Sequence, residues 1–168
     1  PGEEIDVLTR DVTGVTGTTY ESWSGKTSKS SAVYAGQSAG GNSSIQLRTT
    51  NSNSGVITTA SGGKVKKVTV TWNSNTTSGR TLQVYGKSTA YSDPTDLYSS
   101  ENRGDLLGTI VNGTSTELVI SGDYAFIGLR SKDGAMYLTE IQITWDTSAG
   151  SRGGTVDPAP EPEPVKLG

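Results

Sequence analysis

Short runs in which apolar and polar residues alternate, each closed by glycine, asparagine or serine, set the tightest limit on how this chain folds. Val68, Val70 and Trp72 alternate with Thr69 and Thr71, Leu82 and Val84 with Gln83 and Tyr85, and Ile45 and Leu47 with Gln46 and Arg48. Leu118 and Ile120 follow, then Ile127 and Leu129 within YAFIGLRS. Last come Thr139, Ile141, Ile143 and Trp145 against Glu140, Gln142 and Thr144. A period of two sends successive side chains to opposite faces of a pleated strand, so each run reads as a strand with one buried face. Ile5 to Thr9, Val56 to Thr59 and Leu107 to Val111 are further candidates with weaker alternation. No run carries apolar residues at i, i+3, i+4 and i+7 over a helical length, and the best helical turn lies at Asp93 to Tyr98, opened by Pro94. The class is all-β, a sandwich or a barrel. Its expected core is Val68, Val70, Trp72, Leu82, Val84, Ile127, Leu129, Ile141, Ile143 and Trp145.

Between the runs stand turn residues: SAGGNSS at 38–44, NSNSG at 51–55, SGGK at 61–64 and NSNTTSG at 73–79. Glycine and asparagine accept positive φ, and serine and asparagine bond their own backbone. One longer connection, about 87–105, exceeds what a turn needs, and such loops are more often functional or packed than idle. After Trp145 periodicity stops, and proline then alternates with glutamate or alanine. The sequence therefore divides into a module at 3–146 and an extended Pro/Glu-rich linker or tail at 147–168.

Composition removes whole classes of chemistry. The 168 residues contain no histidine and no cysteine. Ser-His-Asp and Cys-His machinery, zinc on imidazole or thiolate, and disulfides are all excluded. Charged residues are only 18% and the net charge is −3, a balance that argues against a nucleic-acid binder, which needs a basic face to replace counterions. No apolar run approaches the roughly 20 residues of a membrane-spanning helix, so no membrane insertion is expected. The chain starts at Pro1 and shows no charged-then-apolar leader, which reads as a mature or trimmed chain.

SSAVYAGQSAGGNSSIQLRTTNSNSGVITT, GGKVKKVTVTWNSNTTSGRTLQVYGK and GTSTELVISGDYAFIGLRSKDGAMYLTEIQITW together resemble β-sandwich accessory modules of large secreted proteins from gut Bacteroidetes-type bacteria. Those modules are jelly-roll, galactose-binding-like domains joined to nucleases, glycoside hydrolases or adhesin-like chains. The resemblance covers about residues 5–146. It implies an antiparallel two-sheet jelly roll, an extracellular, periplasmic or cell-surface location, and a covalently linked neighbouring domain. It supplies no catalytic motif. Sandwich modules of this type often hold a structural calcium near their first and last strands, where Glu3, Glu4, Asp6, Glu140 and Asp146 would be the oxygen donors. Glu4, Asp6 and Glu140 are the calcium candidates, no D-x-[DN]-x-[DN]-G loop is present, and otherwise no cofactor is expected.

A sugar site needs an aromatic face for the C–H surface and fixed polar groups for the hydroxyls. Arg48 and Arg130 each follow an apolar strand position and project from the face opposite the core, an orientation that Tyr85 shares. On an open outer sheet, two arginines would form a platform for the carboxylate of an acidic sugar, or pair with neighbouring acids. Trp23, flanked by polar residues, either plugs one end of the sandwich or stacks on a ligand. Tyr34, Tyr91 and Tyr98 fall in loop-rich segments and complete the binding set, while Tyr137 at a strand start turns either way. Lys64, Lys66 and Lys67 open a strand and would guard an exposed edge. SGGK lacks the phosphate-loop frame.

Three functions compete. A non-catalytic carbohydrate-binding or surface-adhesion module leads, with glycan as partner. A structural spacer without a small ligand comes second. A carboxylate-based glycoside hydrolase comes third, because the acids mostly sit in turns (Asp93, Asp96, Asp105, Asp123, Asp133) and no inward pair is evident. An enzyme is not expected.

Overall fold

The alternating runs become strands whose parity decides which side meets the core. A computed structural model describes residues 2–49 and 53–149. In chain order the strands are β1 (Glu3–Leu8), β2 (Glu21–Lys26), β3 (Val33–Ser38), β4 (Ile45–Leu47), β5 (Gly55–Ala60) and β6 (Lys64–Trp72). They continue with β7 (Thr81–Lys87), β8 (Asp105–Val111), β9 (Glu117–Val119), β10 (Phe126–Ser131) and β11 (Met136–Asp146). One helical turn, α1 (Arg10–Thr13), follows β1. The turn expected after Pro94 is a 3-10 helix, Pro94–Tyr98. Asp93 caps it by accepting from Thr95 N, and Asp96 reaches back to the amide of Asp93.

Two antiparallel sheets pack as a sandwich. One has the order β1-β11-β6-β9, with β4 also on β11, and the other the order β2-β3-β5-β10-β7-β8. Leu138 of β11 faces Trp72 of β6 on one side and Ile45 of β4 on the other, so β4 and β1 lie end to end along the same edge of β11. Between the sheets lie Leu8, Ile45, Leu47, Val65, Val68, Val70, Leu82, Val84, Ile127, Leu129, Ile141, Ile143 and Trp145, all buried. Burial of each large aliphatic side chain is worth about 1.5–3 kcal/mol. Nine of the ten expected core residues are fully inside; Trp72, at the end of β6, is half-buried against the same cluster.

Several local expectations change. Thr139 does not share the inward face with Ile141, because β11 bulges between Leu138 and Glu140 and Leu138 takes the buried position before the bulge. The three lysines do not guard an edge: β6 has β11 on one side and β9 on the other, and the short β9 is the edge. Val56–Thr59, a weak candidate by alternation, lies in β5, inside its sheet between β3 and β10 and buried on both faces at Val56 and Ile57. Trp23 and Tyr34 belong to strands β2 and β3 rather than to loops. Thr147 continues the fold past Asp146: its backbone N–H donates to Gly2 O at 3.1 Å, and its hydroxyl accepts from Gly2 N at 3.2 Å. The linker expectation from residue 150 onward lies outside the described residues.

Candidate functional site

The outward face of the six-stranded sheet, where parity places Arg130 and Tyr85, is covered by the chain itself. The segment between β7 and β8 crosses it and sets Leu97 and Tyr91 over Ile57, Ala35, Tyr85 and Phe126, a second buried apolar cluster on the far side from the main core. Leu97 fills the space above Gly55 and Gly128, where any β-carbon would collide with it. Arg130 is caught between two rings, 5.3 Å from the Tyr85 centroid and 4.9 Å from that of Tyr98. Its Nε donates to Gln83 Oε1 at 3.0 Å and its Nη1 to Leu97 O at 2.7 Å. Tyr91 donates to Arg103 O at 2.6 Å and Tyr98 to Ser54 O at 2.9 Å. Burial, more than any neighbour, pushes both phenols above their ordinary range; the charges of Asp96 and Asp105 add to it at Tyr91, and Arg130 opposes it at Tyr98. The expected platform is therefore a clamp, and Arg130, Tyr85, Tyr91 and Tyr98 hold the crossing segment to the sheet.

The other expected site residues scatter. Arg48 lies just past β4 in the opposite sheet and stacks at 4.9 Å over Tyr20. Its backbone N–H donates to Ser54 Oγ at 2.8 Å, and Ser54 O accepts from Tyr98, so it abuts the clamp around Arg130 from the neighbouring sheet and opens no platform. The Tyr20 phenol is pushed up to about 12 by burial, against the opposing influence of Arg48 and Gln46. Trp23 is 7% exposed, with Nε1 donating to Ser38 Oγ at 2.9 Å, so it plugs the sandwich. The edge it leaves open lines, with Ser22, Ser24, Ala35 and Pro94, a groove of about 340 Å³. Tyr34 is inside, donating to Asp6 Oδ2 at 2.7 Å. Both oxygens of Asp6 accept from protein donors, Glu140 Oε2 accepts from Gln142 Nε2 at 2.5 Å, and Glu4 faces solvent. Among the described residues no three acidic groups come together where a metal ion would sit.

A groove that the sequence did not single out opens at one end of the sandwich, with a volume of about 390 Å³. Tyr124 is the aromatic residue that lines it. Backbone bonds on both sides anchor that residue: Val65 N donates to Tyr124 O at 2.9 Å, and Ala125 N to Lys87 O at 3.2 Å. The ring lies against Gly86 of β7, where a β-carbon would stand 2.8 Å from Leu107 Cδ1 and 3.2 Å from ring carbons, so a larger residue there would displace both side chains. Tyr124 Oη donates to Asp105 Oδ2 at 2.8 Å, which raises the phenol pKa chiefly through that hydrogen bond, since the carboxylate favours the protonated phenol. Asp123, Lys87 and Ser88 complete the rim. Asp105 and Asp123 are exposed, and Lys87 stacks 4.3 Å over Tyr91. A held aromatic ring beside two carboxylates, an ammonium and a hydroxyl offers a flat apolar surface with acceptors and donors at its margin. That combination suits a polyhydroxylated ring. The groove draws on 86–88, 104–105 and 123–124, which explains why no contiguous motif announces it.

No protein-family model matches the chain, and no curated protein matches it in sequence.

Proposed function

We propose that the chain is a non-catalytic carbohydrate-binding or surface-adhesion module that takes a sugar ring in the Tyr124 groove. The observation that carries the reading is the Tyr124–Asp105 pair. The hydrogen bond fixes the ring and orients a carboxylate beside it, so little ordering cost remains when a ligand stacks. Carboxylates at the rim accept from vicinal hydroxyls, and the ring meets the C–H face. A glycosidase reading is less favoured, because Asp105 and Asp123 lie on an exposed rim rather than facing each other across an enclosed cleft.

The spacer reading is disfavoured by a second relationship. Gly2 and Thr147 are hydrogen-bonded to each other, so the chain enters and leaves the sandwich at one place. A fold whose first and last described strands meet in this way puts little distance between them. We read it as an extracytoplasmic accessory module that carries the binding surface. The test is a glycan-array screen of the 168-residue chain, followed by calorimetric titration of the best glycan. Tyr124→Ala is expected to weaken binding about tenfold or more, equivalent to ~1.4 kcal/mol. An array without a single retained glycan, or an affinity indifferent to Tyr124→Ala and Asp105→Asn, overturns the reading.

A further inference from the structure

Trp72 has the parity of a core residue but is only half-buried. It is the last residue of β6, half-buried, and it lines a second groove of about 350 Å³ with the turn between β8 and β9. Its Nε1 donates to Ser115 O at 2.9 Å, so the indole is fixed in orientation and its polar edge is satisfied. The facing turn is equally restrained. The Asn112 side-chain amide donates to Thr76 O at 2.9 Å and Thr77 O at 3.2 Å, and Val111 N donates to Ser115 Oγ at 2.9 Å. Thr114 and Thr116 remain exposed, and no charged side chain lines the groove.

We propose that this groove is a second carbohydrate site, specific for a neutral pyranose that stacks on Trp72. A rigid indole contributes stacking area without an ordering cost, and the threonine hydroxyls and the turn's backbone supply neutral partners for sugar hydroxyls. The absence of charge sets its ligand apart from that of the Tyr124 groove, whose rim holds Asp105, Asp123 and Lys87. Position supports the assignment. Lys64, at the start of β6, pairs with Asp146 beside the point where the chain enters and leaves, and Tyr124 is bonded to the next residue, Val65. Trp72 lies eight residues further along the strand, roughly 26 Å away at the usual rise. It therefore lies at the opposite end of β6 from the Gly2–Thr147 contact, well separated from the Tyr124 groove. The ligand class rests on the reading of the module as a carbohydrate binder; the site itself does not depend on Tyr124.

Fluorescence isolates the test. Of the three tryptophans, Trp23 is 7% exposed and Trp145 0%, so an aqueous collisional quencher reads Trp72. The probes are hexasaccharides of β-1,4-linked glucose, xylose, mannose and galactose, added to the 168-residue chain. At least one is expected to protect Trp72 from quenching, with the same protection in Tyr124→Ala and its loss in Thr116→Arg, which fills the groove from an exposed position without touching the core. Failure of all four to protect Trp72 overturns the proposal. So does protection that survives Thr116→Arg, or protection that disappears in Tyr124→Ala. If Tyr124→Ala keeps its calorimetric affinity while Trp72 is still protected, the Tyr124 reading fails and this one stands.

Discussion

The Tyr34 hydroxyl donates to Asp6 Oδ2 at 2.7 Å in the interior of the sandwich, joining β3 of one sheet to β1 of the other. Trp145 Nε1 donates to the same phenol oxygen at 3.0 Å, so the last strand is tied into the pair. Lys29 N and Ser30 N donate to Asp6 Oδ1, and Ser30 Oγ to Oδ2. A fully buried carboxylate costs several kcal/mol unless such donors surround it. Here four converge on it, and they hold the 28–31 turn against the first strand.

Asp6→Asn replaces one acceptor oxygen by an amide that points its own hydrogens at donors. The expected loss is about 3 kcal/mol, since hydrogen bonds to a charged group are the costly ones to leave unmade. Thermal unfolding followed by circular dichroism is expected to show a midpoint lower by roughly 6–12 °C for a domain of this size. An unchanged midpoint means that the network contributes nothing net.

High pH attacks the fold through its tyrosines. Tyr20, Tyr34, Tyr91 and Tyr98 all have folded pKa values raised above 10, with burial as the largest cause, and Tyr34 is raised further by Asp6. A raised phenol holds its proton when folded and releases it when unfolded. Its stabilisation is therefore complete below pH ~10 and is lost as pH climbs through the folded pKa, about 12 for Tyr20. Each such group contributes a slope of up to about 1.4 kcal/mol per pH unit. Tyrosinate absorbance from Tyr20, Tyr34, Tyr91 and Tyr98 is expected to rise together with loss of the fold. Smooth titration of these four tyrosines with the fold intact contradicts this.

Gly128 and Leu97 form a matched contact. Gly128→Ala forces a methyl into the space held by Leu97 and is expected to cost about 1–3 kcal/mol. Leu97→Ala alone leaves a void and is expected to cost about 2–5 kcal/mol. The double variant should lose less than the sum of the two, because the new methyl occupies part of the void. Urea unfolding of the four proteins measures the coupling, and strict additivity removes the claim that Leu97 anchors the crossing segment.

Arg130→Ala separates clamp from ligand site. It removes the two hydrogen bonds to Gln83 and Leu97 and the cation between Tyr85 and Tyr98. A stability loss of about 1–2 kcal/mol is expected, with glycan affinity at the Tyr124 groove unchanged. Amide hydrogen exchange should rise across 88–104. Weakened glycan binding with intact stability restores the arginine platform instead.

Alternation alone determined the faces of β6, β7 and β10, because the pleat that separates odd from even residues is a property of a few consecutive peptide units. The Pro94 turn was readable for the same reason, since Asp93 and Asp96 cap it within five residues. Strands β2 and β3 escaped notice. Their small residues, such as Gly36 beneath the Trp23 ring, are there because a partner side chain fills the space, and no local pattern records that partner. Parity correctly sent Arg130 and Tyr85 away from the core but left open whether water or chain would meet them there. Only the tertiary structure decided that the 88–104 segment covers them, and that 86–88, 104–105 and 123–124 meet around Tyr124. Side-chain direction is fixed by covalent geometry over two residues. What lies opposite a side chain depends on contacts between segments far apart in sequence, whose burial stabilises them only once both sheets are in place.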